Sequence, residues 1–190
     1  MAKIIIISAP SGSGKSTIIN YLLTQDLGLE FSISATCRAA RGKEEHGKDY
    51  YFITLEEFRK KIDNNEFLEY EEVYENRFYG TLKSDVERIL NKNKNAIFDV
   101  DVVGGCNIKK YYKDEALSIF IKPPSIEELR KRLNARATDG NEDIEARIRK
   151  AEHELTYESS FDVTIINDDL ETAKAQTLKV VQDFLNNLAE

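Results

Sequence analysis

Ile4-Ile5-Ile6-Ile7-Ser8 runs directly into Ala9-Pro10-Ser11-Gly12-Ser13-Gly14-Lys15-Ser16 near the N-terminus, and a helical pattern, Thr17–Leu23, follows. A glycine-rich turn between a buried strand and a helix is typical of a P-loop, whose backbone N–H groups point at a phosphate. Gly12 and Gly14 permit that backbone geometry, and Lys15 adds positive charge beside the β- and γ-phosphates. The Ser16 hydroxyl is placed to bind magnesium, and the dipole of the following helix favours the same anion. An ordinary Gly/Ser turn is the alternative, but the strand before and the helix after favour nucleotide binding.

Composition narrows the class of protein. With 190 residues, 41% hydrophobic and 32% charged, the chain is long enough for one α/β domain with an insertion. A net charge of −7 argues against a nucleic-acid surface. The chain has neither an 18-residue apolar stretch nor a signal-peptide pattern, so we expect a cytoplasmic protein without a membrane segment. Cys37 and Cys106 lie in no CxxC motif or His/Cys cluster, which disfavours structural zinc and a disulfide framework.

Apolar runs alternate with helical patterns along most of the chain, which predicts a parallel sheet covered by helices. Thr54-x-x-Glu57 and Ser125-x-x-Glu128 are capping-box patterns that mark helix starts. A last helix is predicted from apolar residues spaced by three and four from Leu170 to Leu188. The predicted core strands are Ile4–Ser8, Ala96–Asp101, Ala116–Ile121 and Val163–Ile166.

The stretch from about Phe31 to Asn95 differs from this alternation, because short strand-like runs dominate it. We interpret it as an insertion between the first two core strands that could hold a second substrate. Its predicted strands are Phe31–Ala35, Tyr50–Ile53, Phe67–Tyr74 and Arg77–Thr81, with helices at Leu55–Asn64 and Leu82–Asn91.

These motifs together resemble the guanylate kinase family, whose members transfer the γ-phosphoryl group of ATP to GMP. The resemblance covers nearly the whole chain and, besides the P-loop, rests on motifs specific to the family. They are Ser34-Ala35-Thr36-Cys37-Arg38-Ala39-Ala40-Arg41, Gly47-Lys48-Asp49-Tyr50-Tyr51-Phe52, Asn65-Glu66-Phe67-Leu68-Glu69-Tyr70, Phe78-Tyr79-Gly80-Thr81, Asp99-Val100-Asp101, Pro123-Pro124-Ser125 and Ile166-Asn167-Asp168-Asp169.

The resemblance implies one domain over residues 1–190, in which a P-loop parallel sheet covered by helices carries an inserted mixed α/β GMP-binding lobe and a helical lid. The core would comprise residues 1–30, 96–133 and 156–190, the insertion 31–95 and the lid 134–155. ATP and GMP would be the ligands, with Mg²⁺ bound beside ATP. We expect no nucleic-acid or membrane partner, and a monomer or small homo-oligomer.

The resemblance also assigns residues. The ATP-binding residues would be Ala9, Pro10, Ser11, Gly12, Ser13, Gly14, Lys15, Ser16, Thr17, Asn167 and Asp168. The GMP-binding residues would be Ser34, Arg38, Arg41, Tyr50, Glu69, Tyr79, Thr81 and Asp101. The catalytic cations would be Lys15, Arg132, Arg136 and Arg147, and the metal ligands Ser16 and Asp99.

Physical chemistry supports some of these roles and leaves others open. Forked arginines suit a phosphate dianion, and a carboxylate can accept from guanine N1–H and its exocyclic amine, whereas adenine presents an acceptor at N1. The residues alone do not choose Glu69 over its acidic neighbours Glu66, Glu71 and Glu72. Asp99 and Asp101 could instead be capping or turn residues. The spacing of the arginine-bearing helices on either side of Asn134–Asn141 by itself favours solvated helices with Glu/Arg neighbours, and only their position downstream of the P-loop supports a phosphate-binding lid.

Three positions depart from the family pattern. Ala9 stands where the P-loop's first glycine usually lies, Ala40 replaces a common proline, and Ala137 follows Arg136 where glycine is usual. These changes affect local loop conformation and leave the charged groups in place.

Three other functions compete with kinase activity. A P-loop GTPase is disfavoured because Asn91-Lys92-Asn93-Lys94 lacks the aspartate of N-K-x-D, although Asp101-Val102-Val103-Gly104 fits D-x-x-G. An inactive guanylate-kinase-like module that binds phosphopeptides is disfavoured by the intact P-loop. A kinase of the same fold with another phosphorylated acceptor is disfavoured by Glu69 and Thr81.

Overall fold

A computed structural model describes residues 2–135 and 141–186 of the chain as an α/β protein with two sheets. The strands are β1 (Ile4–Ser8), β2 (Leu29–Phe31), β3 (Ala35–Thr36), β4 (Tyr51–Phe52), β5 (Phe67–Tyr74), β6 (Arg77–Leu82), β7 (Asn95–Asp99), β8 (Ala116–Lys122) and β9 (Val163–Ile166). The helices are α1 (Lys15–Leu23), α2 (Leu55–Asp63), α3 (Lys83–Leu90), α4 (Val102–Tyr112), α5 (Ile126–Ala135), α6 (Asn141–Leu155) and α7 (Leu170–Asn186).

The larger sheet has the strand order β2-β7-β1-β8-β9. β1 runs parallel to β8 with Ile4 opposite Ala116, and β8 runs parallel to β9. The four isoleucines of β1, Ile4–Ile7, are at most 1% exposed, as a strand covered on both faces requires. The predicted α/β fold with a parallel sheet core is therefore confirmed.

The chain divides into two compact units. One, the inserted unit, comprises Glu30–Ala96 with the few residues up to Lys3, and the other, the core unit, comprises Ile4–Leu29 and Ile97–Glu190. The core unit buries apolar faces of several helices against one another and against the strands. α5 and α6 share a buried cluster of Leu129, Leu133, Ile144, Ile148 and Ala151.

Local patterns in the core unit agree with the structure where it is described. The predicted apolar stripe of the last helix is confirmed by the burial of Ala173, Thr177 and Val181 on α7, whereas Leu188 lies outside the described residues. Ser125 Oγ accepts from the main-chain N–H of Glu128 at 3.1 Å, and the Glu128 carboxylate pairs with Arg132. The domain boundaries, including a lid at 134–155, stay predictions.

The inserted unit contains the smaller sheet, whose order is β4-β3-β6-β5. β6 pairs antiparallel with β3 and β5, and β3 pairs parallel with β4. α2 begins with the predicted capping box, in which Thr54 and Glu57 exchange hydrogen bonds. Phe58 of α2 stacks on Phe67 with ring centroids 4.3 Å apart, which anchors the helix to the sheet.

The prediction of one strand over Phe31–Ala35 is wrong. β2 ends at Phe31 and β3 begins at Ala35, because the intervening residues bind a side chain instead of a strand. Ser32 Oγ and the Ile33 main-chain N–H both donate to Asp85 Oδ2, at 3.2 and 2.9 Å. Asp85 is 3% exposed and also accepts from Tyr51, so this buried carboxylate fixes the loop that carries Ser34.

Among residues 2–135 and 141–186, the helices all fall short of the length and apolarity that crossing a membrane requires.

Candidate nucleotide-binding sites

The loop between β1 and α1 has the conformation of an anion-binding turn. Gly12 and Gly14 have φ angles of 90° and 91°, which are left-handed values that side chains disfavour. Gly14 is the N-cap of α1 and offers no side chain, so the first-turn N–H groups of the helix are left for a ligand. The helix dipole adds positive potential at the same point.

Lys15 and Ser16 both reach the end of β7. Lys15 Nζ forms an ion pair with Asp99 and lies 3.1 Å from the Val100 carbonyl oxygen. Ser16 Oγ is 3.4 Å from Asp99 Oδ2. The structure thus brings together three residues of the sequence prediction: the P-loop cation and both proposed metal ligands.

Asp101 caps a helix, which is one of the two alternatives that the sequence left open. Its Oδ1 accepts from the Gly104 main-chain N–H at 2.6 Å, and it is the N-cap of α4. The predicted strand Ala96–Asp101 therefore ends earlier, at Asp99, because Asp101 already begins the helix. Contact of Asp101 with GMP stays a prediction.

Asn167 and Arg132 connect the end of β9 to the P-loop. Asn167 is 3% exposed, and its Nδ2 donates to the Ser13 carbonyl oxygen at 2.7 Å. Arg132 donates from Nη1 to the Asn167 carbonyl at 2.9 Å and from Nη2 to the Asp168 carbonyl at 3.3 Å. The loop that the resemblance places near adenine is thus held against the phosphate loop by Asn167 and tied to α5 by a predicted catalytic arginine.

The structure describes only one of the other two predicted catalytic arginines. Arg147 lies half-buried on α6, whereas Arg136 lies outside the described residues. Arg130 of α5 forms an ion pair with Glu145 of α6. This pair is of the kind expected if these helices are solvated helices with Glu/Arg neighbours.

Glu154 of α6 is a buried acid that the sequence analysis missed. It is 6% exposed, and its Oε2 has no hydrogen-bond partner among the described residues. Burial raises the pKa of Glu154 above its ordinary 4.5, although Lys150, 3.9 Å away, and the Ser11 main-chain N–H favour the charged form. A glutamate in a helix rich in Glu and Arg gives no sequence signal of burial.

In the inserted unit, Arg38 is held among aromatic rings. Its Cζ lies 4.9 Å from the centroid of Tyr50, 5.6 Å from that of Phe52 and 6.0 Å from that of Tyr79. Nε donates to the Tyr79 hydroxyl at 2.9 Å. Three residues predicted to bind the GMP phosphate, Arg38, Tyr50 and Tyr79, therefore lie together.

Glu44 is the second acid that sequence reasoning missed. Its two carboxylate oxygens accept from Arg38 Nη1 and Nη2 at 2.6 and 2.8 Å, and Oε2 also accepts from the Arg41 main-chain N–H at 2.8 Å. These hydrogen bonds, those from Arg38 first, lower the pKa of Glu44 to about 2. The Arg41 side chain is exposed, and Ser34 is half-buried in the loop before β3.

Side-chain partners distinguish Glu69 from Glu66 and Glu72, whereas Glu71, opposite Tyr79, lies on the same face of the strand as Glu69. Glu69 lies directly opposite Thr81 in the β5–β6 ladder, and Thr81 Oγ1 donates to Glu69 Oε1 at 2.6 Å. Glu66 instead pairs with Lys61, and Glu72 accepts from the Asn76 main-chain N–H. Because alternate residues of a strand share a face, Thr81 and Tyr79 lie on the same face of the hairpin.

Comparison with known proteins agrees with the family resemblance seen in the sequence. The family model described as guanylate kinase matches residues 1–187. The chain belongs to the guanylate kinase family. A guanylate kinase of Bacteroides thetaiotaomicron is 67% identical over 184 residues, which are 97% of this chain and 90% of that protein. A guanylate kinase of Porphyromonas gingivalis is 60% identical over 186 residues, 97% of this chain and 99% of that protein.

A solved structure gives the same result. The crystal structure of guanylate kinase from Anaplasma phagocytophilum matches with a TM-score of 0.78 and 31% identity, covering 98% of this chain and 88% of that chain. Two clusters of polar residues are thus defined. The P-loop cluster of the core unit contains Lys15, Ser16, Asp99 and Asn167, and the hairpin cluster of the inserted unit contains Arg38, Glu44, Glu69, Tyr79 and Thr81.

Proposed function

We propose that this guanylate kinase transfers the γ-phosphoryl group of ATP to GMP, producing ADP and GDP. The observation that carries the proposal is the Glu69–Thr81 pair, which lies on the hairpin face that also presents Tyr79. The small sheet thus carries a carboxylate suited to guanine and, with the loop after β3, an arginine–tyrosine pair suited to phosphate.

Guanine selection follows from the chemistry of Glu69. Its carboxylate can accept from both guanine N1–H and the exocyclic amine, while Thr81 orients it. Adenine has an acceptor at N1, so AMP would leave a carboxylate oxygen unpaired, which is costly in a desolvated site. We expect dGMP to be accepted as well, because the assigned residues recognise the base and the phosphate.

ATP is assigned to the P-loop cluster, from Ala9 to Thr17, with Asn167 and Asp168 beside it. The main-chain N–H groups at the start of α1 and the Lys15 ammonium neutralise the β- and γ-phosphates. Arg132, Arg136 and Arg147 are proposed to add positive charge as the phosphoryl group transfers. The acceptor phosphate already carries nucleophilic oxygens, so no side chain is needed as a general base.

The Ser16 hydroxyl and the Asp99 carboxylate fit a magnesium ion. Both offer oxygen atoms, which this hard cation prefers, and they lie within 3.4 Å of each other. These two residues would hold Mg²⁺, directly or through water. When bound, Mg²⁺ neutralises charge on the phosphate oxygens.

We further propose that the enzyme works in the cytoplasm on free nucleotides, as a monomer or small homo-oligomer. The net charge of −7 supports the exclusion of nucleic acid, because it opposes binding to a polyanion.

An ADP-release assay tests the substrate assignment. With ATP and magnesium, we expect turnover with GMP and dGMP and negligible turnover with AMP, CMP and UMP. Faster turnover with another monophosphate would refute guanine selection. Tight binding of a phosphopeptide, with no ADP release for any nucleotide, would favour the inactive binding module instead.

A further inference from the structure

Arg38, which is assigned to the GMP phosphate, already forms an ion pair with Glu44. The Arg38 side chain is only 8% exposed. Its donors contact the Tyr79 hydroxyl, the Ala39 carbonyl and both Glu44 oxygens, at 2.6–2.9 Å. These contacts occupy four of the five N–H donors of a guanidinium, so one Nη2 N–H is left for a ligand.

A phosphate cannot take the forked edge of Arg38 while Glu44 holds it. Either Glu44 leaves when GMP binds or Arg38 gives the ligand a single hydrogen bond. Departure of Glu44 would break two charge-assisted hydrogen bonds to Arg38, which the phosphate would have to replace while Glu44 itself lost its partner. Glu44 is also anchored by the Arg41 main-chain N–H. These contacts favour an Arg38–Glu44 ion pair that stays intact when GMP binds.

We propose that Glu44 is a positioning residue for the phosphate of GMP, acting through Arg38, Tyr79 and the backbone of Arg41. This inference rests on the proposed assignment of Arg38 and Arg41 to that phosphate. Since the Tyr79 oxygen accepts from Arg38 Nε, the Tyr79 O–H proton must point away from Arg38, where it can donate to a ligand. Glu44 therefore sets the direction of both donors.

Arg38 and Arg41 then contribute to phosphate binding in different ways. Arg38 and Glu44 form a pair with no net charge, so their contribution is the direction of hydrogen bonds. Arg41 has an exposed side chain, and only its main chain is bound by Glu44, so it supplies the net positive charge. One carboxylate thus prepares a directional donor and fixes the backbone of the cation.

The test compares the binding of GMP with that of guanosine, which lacks the phosphate, by calorimetry on the full chain. In Glu44→Ala we expect the dissociation constant for GMP to rise about tenfold or more, the scale of lost charge-assisted hydrogen bonds. Guanosine binding, ATP KM and kcat should change less than the GMP constant. Glu44→Asp, which keeps the charge with a shorter reach, should recover part of the loss.

The matched control is Glu45→Ala, which removes the neighbouring acid. The Glu45 side chain is 67% exposed, and its carboxylate lies 3.5 Å from the ammonium of the exposed Lys48. It should leave both constants unchanged. Thermal unfolding of each variant identifies any loss of folding. If Glu44→Ala binds GMP as tightly as the parent protein or more tightly, Glu44 is a bystander or a competitor and the proposal is wrong. Equal weakening for GMP and guanosine would also overturn it.

Arg38→Ala and Arg41→Ala test the assignment of these arginines to the GMP phosphate separately from the role of Glu44. If neither weakens GMP relative to guanosine, the phosphate site itself is misassigned. If both do so and Glu44→Ala does not, only the role of Glu44 fails.

Discussion

Asn167 donates a hydrogen bond from its buried amide to the carbonyl oxygen of Ser13, 2.7 Å away, and so fixes the phosphate-binding loop from the end of β9. Gly14 makes this approach possible, because a Cβ atom there would overlap Asn167 Nδ2. Arg132 holds the carbonyl of the same asparagine. The conformation of the P-loop therefore depends on a residue more than 150 positions later in the chain.

Replacing this asparagine tests that dependence. Asn167→Ala leaves the buried Ser13 carbonyl without its partner, which should lower the free energy of unfolding by about 1–3 kcal/mol. We expect weaker ATP binding as the loop loses its support, and little change in GMP binding. Urea unfolding and calorimetric titration measure the two effects. Asn107→Ala, at an exposed position on α4, is the control and should alter neither. Unchanged stability in Asn167→Ala would show that the hydrogen bond contributes nothing.

Lys15→Ala tests the P-loop cation. Its ammonium should stabilise the transferring phosphoryl group more than resting ATP, so we expect kcat to fall by roughly 10²- to 10³-fold. The steady-state rate with saturating ATP and GMP is the measurement. Lys110→Ala, an exposed lysine on α4, serves as control. Near-normal turnover by a folded Lys15→Ala protein would contradict the assignment.

Glu69→Gln tests guanine selection. The substitution keeps the size of the side chain but places a donor amide against guanine's own donors. We expect kcat/KM for GMP to fall tenfold or more, about 1.4 kcal/mol for each factor of ten, with ATP KM nearly unchanged. Activity with AMP should become easier to detect. Glu72→Gln is the matched control on the same strand, and a larger loss there would mean that the wrong carboxylate has been chosen.

Glu154 gives a pH-dependent prediction. Burial raises its folded-state pKa above the ordinary 4.5, so its ionisation opposes folding at neutral pH, and this penalty fades as the pH falls toward 4.5. Glu154→Gln should therefore unfold at a higher urea concentration than the parent protein at pH 7. The difference should shrink on acidification and vanish below pH 4.5. Glu152→Gln, at an exposed site on α6, should show no such trend.

The opposite result for Glu154 would also be informative. If Glu154→Gln is less stable at pH 7, the ionic contact with Lys150 and the hydrogen bond from Ser11 outweigh the cost of burial. The assigned direction of the pKa shift would then be wrong.

The features that the sequence predicts well are local ones. The four consecutive isoleucines of β1 and the glycines at 12 and 14 encode a buried strand and a left-handed turn within a few residues. The Thr54–Glu57 capping box marks the start of α2 in the same way. The strand predicted over Phe31–Ala35 fails because its residues bind Asp85, a partner about 50 positions away that no local pattern reveals.

By itself, the sequence determined the P-loop, the α/β class and the family, because each depends on residue types at short, fixed spacings. Only the tertiary structure decided which partners and surroundings each acid has. Strand register set Glu69 opposite Thr81, helix capping engaged Asp101, packing buried Glu154, and the ring-lined position of Arg38 gave Glu44 its partner. Carboxylates look alike along a chain, and their ionisation is set by desolvation and by donors that folding brings from distant positions.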